Sequence, residues 1–130
     1  MKDKHLQQAW LLGLAKLVKR DWLPGYDLDT IACYGFPKGR SLKDDVRGIC
    51  YKANEPGQRD VIFIHPAEWA DAKDVIRTFL HEAVHSVLDA KVEHRKEFYD
   101  LAKGIGLGGP LADTPTLGLA EWIEGVIAIM

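Results

Sequence analysis

Several things are scarce in this sequence, and each scarcity closes off a class of explanation. There are only two cysteines, Cys33 and Cys50, and they form no C-x-x-C pair. That leaves no basis for a thiolate zinc cluster or a dithiol redox motif and reads most simply as reduced cytosolic thiols. No apolar run approaches the roughly 20 residues that span a bilayer. The N-terminal run from Ala9 to Ala15 is short, is followed by Lys16, Lys19 and Arg20, and lacks a small-residue cleavage site, so it does not read as a secretory signal. An excess of charge is missing too: the formal net charge is -2, with basic residues spread along the chain, so composition makes no electrostatic case for nucleic acid. Internal repeats, low-complexity tracts and interdomain linkers are all absent. Residues 1–130 therefore read as one cytoplasmic domain with a single core and no membrane association.

What is present is patterned. Leu6, Trp10, Leu14 and Leu17 recur at helical spacing between His5 and Val18, which predicts an amphipathic helix stopped near Trp22, Leu23 and Pro24. Three short runs follow, Thr30 to Phe36, Val46 to Lys52 and Asp60 to His65, set apart by Pro37, Gly39, Asn54, Pro56 and Gly57. They predict a small, mainly antiparallel sheet. Asp71 to Asp89 carries Val75, Ile76, Phe79, Leu80, Ala83, Val84 and Val87 at helical spacing and predicts a central helix. A further helix is expected from about His94 to Gly104, with Phe98, Leu101, Ala102 and Ile105 inward, and a last one from Thr116 to Met130. The fold class expected is α+β: a small sheet, a central helix and flanking helices.

The chemistry lies on the central helix. Residues 81 to 85 read His-Glu-Ala-Val-His, the H-E-x-x-H spacing in which two imidazoles can bind one zinc ion. At about 100° per residue, His81 and His85 differ by only about 40° around the axis, so both rings can reach one metal. Glu82 lies roughly 60° from His85, placed to take a proton from a water at the metal without being a ligand. Five His and seven Glu produce such a match by chance in about one sequence in a hundred of this length. The helical wheel adds weight, because the apolar stripe from Val75 to Val87 centres nearly opposite the histidines. A catalytic zinc needs a third protein ligand. His94 is the first candidate, four residues before Phe98, and Glu93 and Glu97 are its competitors. His65, before Pro66, reads as a turn residue.

With His81 to His85 followed by His94-Arg95-Lys96-Glu97-Phe98, the chain resembles the SprT-like zincin metallopeptidases, phage-encoded members included. The resemblance extends through Tyr34 to Pro37, Ile62 to Pro66 and Ile105 to Leu107, although Arg95 stands where the family often has Gly. It implies a zincin-like minimal metalloprotease domain, with His81, His85 and His94 holding Zn²⁺. It also implies Glu82 as the base that deprotonates a zinc-activated water, and protein or peptide substrates. A second reading keeps the metal but not the turnover. It is a zinc-stabilised binding module, contacting a protein partner or weakly contacting DNA through Lys38, Arg40 and Lys43 in the basic loop that ends at Arg47.

Overall fold

The computed structural model describes residues 4–28, 30–34, 47–53, 59–88 and 96–130. Its elements run α1 (Lys4–Asp21), β1 (Thr30–Tyr34), β2 (Gly48–Tyr51), β3 (Asp60–Ile64), a 3-10 turn (Pro66–Ala70), α2 (Ala72–Val87), α3 (Lys96–Gly104), β4 (Leu107–Gly108), β5 (Thr114–Pro115) and α4 (Leu117–Ile129). This is the expected α+β class. No helix among the described residues is long and apolar enough to cross a membrane. The basic loop residues Lys38, Arg40 and Lys43, and both His94 and Glu93, lie outside the described residues.

The central helix starts where its capping chemistry says it should. The Asp71 carboxylate accepts the Lys73 amide at 2.9 Å, satisfying one of the donors left open at a helix start, and Asp74 in the first turn suits the positive end of the helix dipole. Just upstream, His65 does the same for the 3-10 turn, its Nδ1 accepting the Ala67 amide at 3.0 Å ahead of Pro66. That is the turn role its position before proline implies.

The main sheet departs from the expected pairing. Its order is β1-β3-β2, with β2 antiparallel to β3 but β1 parallel to it, in the register Ala32↔Ile62 and Cys33↔Phe63. The sheet is therefore mixed. Alternating apolar residues mark a strand and its buried face but carry no sign of its direction, and the long stretch from Tyr34 to Asp60 leaves room for a parallel return. Cys50 pairs with Ile62 and Cys33 with Phe63, so the two thiols sit on opposite faces with β3 between them, and both are free.

One face of the sheet, with Ala32, Ile62 and Ile64 fully buried, packs against Leu11, Leu14 and Val18 of α1 and Val75, Ile76, Phe79, Leu80, Ala83 and Val84 of α2. Phe98 and Ala102 of α3 and Leu119, Ile123 and Val126 of α4 complete the core. On α1 the buried stripe is Gln7, Leu11, Leu14 and Val18, rotated from the expected Leu6, Trp10, Leu14 and Leu17; Leu6 is 60% exposed. Apolar residues ring so much of α1 that spacing alone allows either stripe, and the neighbours choose between them. Edge-to-face pairs then hold α1 in its first half and just past its C-terminal end, Trp10 on Trp69 at 5.7 Å and Trp22 on Trp122 at 5.8 Å.

A polar staple joins β2, β3 and the end of α2. Asp60 accepts Lys52 Nζ at 3.0 Å, the Ser86 hydroxyl at 2.8 Å and the Ala53 amide at 2.8 Å, while Lys52 also donates to the Ser86 carbonyl in the last turn of the helix. Burial opposes ionisation of Asp60, but these donors outweigh it and hold the carboxyl below its ordinary value. Because the folded value is depressed, the contribution is present above the unfolded carboxylate range and is lost as pH falls through the folded value. We expect Asp60→Asn to cost about 2 kcal/mol near neutral pH. In urea unfolding measured across pH, the difference from the native chain should shrink below about pH 4; a difference that is constant into acid would show that the charge is not what stabilises the staple.

Candidate metal centre

Helix α2 is buried on nearly every side, and its less buried positions run along one stripe through Arg77, His81 and His85. The histidines thus face away from the sheet, as the wheel predicts. Their rings lie 5.1 Å apart between centroids at 69°. That separation suits two nitrogens each about 2.0–2.1 Å from one ion. Phe98, fully buried on α3, covers both imidazoles: it stacks on His85 at 4.2 Å and 27°, and meets His81 edge-on at 5.0 Å.

A backbone contact orients His81. Its Nδ1 lies 3.1 Å from the carbonyl oxygen of Ala112. A carbonyl can only accept, so Nδ1 carries the proton and, in the neutral ring, the lone pair is on Nε2. Metal-binding histidines are commonly held this way, the second nitrogen donating to a carbonyl or carboxylate. Ala112 aims that carbonyl from a left-handed conformation with φ of 51°, the sole non-glycine positive φ among the described residues. Such a conformation costs an L-residue roughly 1–2 kcal/mol, and strain of this kind gathers at functional sites. Gly109, at φ of 82°, opens the same turn, and its carbonyl accepts the Ala112 amide at 3.1 Å.

Glu82 points to the adjoining side of α2, into the seam with β2, and is only 7% exposed. Its polar neighbours one turn away, Thr78 and Ser86, are buried with it. In the antiparallel ladder the His65 amide bonds the Arg47 carbonyl at 2.8 Å, so Arg47, Ile49 and Tyr51 turn their backbone groups toward β3 while Gly48 and Cys50 turn theirs outward. Glu82 takes the outward Cys50 amide. Desolvation pushes the Glu82 carboxyl up to about 8, against the pull of that amide. A divalent cation held by the adjacent imidazoles would favour the ionised form instead. Burial, with the charges of Glu82 and Asp60, also pushes the Cys50 thiol up to about 12, so the free thiol stays protonated.

The chain therefore brings together two of the three expected ligands, His81 and His85, and places Glu82 on the adjoining side of the same helix. Among the described residues no three His, Cys, Asp or Glu side chains form a metal-holding group. Glu97 is exposed in the first turn of α3, while His94 and Glu93 lie outside the described residues. The imidazole pair with one proton already placed is a donor set that fits zinc. Comparison with protein families, curated proteins and solved structures finds no match, so the site stands on its own geometry.

Ala112 and Gly48 are the positions that sequence reasoning does not reach. A backbone carbonyl leaves no signature in residue type, and a lone glycine in a strand gives only the general signal of a close approach. At Gly48 that approach is real: a Cβ there would sit 2.7 Å from Thr78 Cγ2, 3.2 Å from Glu82 Cγ and 3.2 Å from the Phe63 carbonyl oxygen. Gly48→Ala should therefore push β2 off α2, lower stability by about 1–3 kcal/mol and shift the Glu82 side chain. Chemical unfolding combined with carboxyl ¹³C shifts of Glu82 checks this; an alanine variant with native stability and native shifts would mean that the seam has slack.

Proposed function

We propose that the protein is a zinc-dependent metallopeptidase of the SprT-like, zincin type, acting in the cytoplasm on peptide bonds. The observation that carries the reading is the paired imidazoles on the one open stripe of a buried helix, with His81 already oriented by the Ala112 carbonyl. Two histidines that were merely surface residues would have no need of a strained backbone to orient them. His81 and His85 are the proposed ligands through ring nitrogens, and His94, which precedes the helix carrying Phe98, is the proposed third.

The chemistry that a bound zinc ion supplies is polarisation of the scissile carbonyl and acidification of a water. Glu82 supplies proton transfer. It takes the proton of the attacking water as the water oxygen bonds to the carbonyl carbon, then delivers it to the amine nitrogen as the C–N bond breaks. The seam around Glu82 excludes solvent, which strengthens each electrostatic contact made there. Phe98 shields the imidazole faces. Peptide substrates suit the site because β2 pairs only with β3 among the described residues, and its outer edge runs past Glu82. An extended chain laid on that edge gains main-chain hydrogen bonds beside the base. The Asp60 strand, β3, is central in this sheet, so β2 supplies the edge beside the helix.

The test is zinc content and peptidase activity in the same preparations. Near one zinc per native chain is expected, lost in His81→Ala and in His94→Ala. Glu82→Gln should keep the zinc while hydrolysis falls by at least about a hundredfold, the scale of general-base loss. Unchanged hydrolysis in Glu82→Gln would remove its role, and a native chain that binds no supplied zinc would remove the metal centre.

A further inference from the structure

The His81 contact belongs to a larger arrangement that the H-E-x-x-H pattern does not contain. Strands β4 and β5 pair as Leu107↔Pro115 and Gly108↔Thr114, and the turn between them carries Pro110 and Ala112. Two anchors hold this turn. On its inner side Ala112 is buried in the core, 1% exposed, and its left-handed backbone places the carbonyl on His81. On its outer side the Tyr99 hydroxyl donates to the Pro110 carbonyl at 3.1 Å. Tyr99 follows Phe98 directly, and Phe98 is the ring stacked on His85. One turn of α3 thus touches one histidine by stacking and governs the other through a hydroxyl, a proline carbonyl and a strained alanine.

We infer that Tyr99 is a positioning residue for the histidine pair, acting through the β4–β5 turn to hold His81 in the Nδ1–H tautomer. This rests on the proposed metal centre only for its purpose, not for its geometry. Free histidine favours the opposite tautomer, with the proton on Nε2. A protein that holds the proton on Nδ1 before metal arrives presents Nε2 without having to move a proton or turn the ring. The tertiary contact therefore prepays the orientation of one ligand, and loosening it weakens binding even though every ligand remains in place.

The test uses the full chain, metal-free and labelled with ¹⁵N at histidine, alongside direct titration with zinc. In the native chain the ring ¹⁵N shifts of His81 should report Nδ1–H as the dominant tautomer. Tyr99→Phe removes only an exposed hydroxyl. It should move His81 toward Nε2–H and weaken zinc binding about tenfold, at the low end of losses seen for outer partners of metal ligands. Ala112→Val, β-branched at a positive φ, should do the same more strongly, and Ala112→Gly, which adopts that φ freely, should retain the native tautomer. A native His81 protonated on Nε2, or a Tyr99→Phe chain with native tautomer and native zinc affinity, overturns the inference. The two readings fail separately: a fixed tautomer with no zinc bound removes the metal centre and leaves the positioning, whereas equal zinc affinity in all variants leaves the metal centre and removes the positioning. Should Ala112→Val not fold, Tyr99→Phe alone decides.

Discussion

A helix that is covered on almost every side must find a partner for each polar group it carries, because an unsatisfied buried group costs more than a made hydrogen bond returns. Helix α2 carries Thr78, Glu82 and Ser86 into the seam with β2 and leaves His81 and His85 on its open stripe. Much of the rest follows from meeting that demand. The Cys50 amide, turned outward by the ladder register, meets Glu82, and Asp60 and Lys52 meet Ser86. Gly48 allows the strand to come close enough for this to happen.

The histidine side is met differently, by structure distant in sequence. Phe98 packs on the rings from α3, and the Ala112 carbonyl arrives from the turn between β4 and β5. Glu82 and the two imidazoles therefore sit in contrasting surroundings within one turn of the helix: Glu82 in a desolvated seam against a strand, the imidazoles against an aromatic ring and a backbone carbonyl. Adjacent positions on a helix point about 100° apart, which is what lets one helix serve both environments.

Much of this architecture was legible in advance. The spacing of Val75, Phe79, Ala83 and Val87 located α2, and the expected start at Asp71 falls on the residue that caps it in the structure. The three short apolar runs located the strands to within about two residues at each end, the usual margin. The wheel also showed which way the histidines face. Less was legible where two patterns competed. Leu11 and Val18 took the buried stripe of α1 that Trp10 and Leu17 seemed to claim, because that helix is apolar around most of its girth. The parallel pairing of β1 with β3 had no signal at all, since strand direction is not written in alternation.

By itself, then, the sequence determined the α+β class, the helix that carries the H-E-x-x-H residues and the angular spacing of His81, Glu82 and His85, because these depend on local periodicity. Tertiary structure alone decided that Glu82 is buried against Cys50, that Phe98 stacks on His85, and that Ala112 in a left-handed turn orients His81. Those are contacts between segments far apart in the chain, made partly by backbone groups that every residue type possesses, and no spacing rule within one segment can encode them.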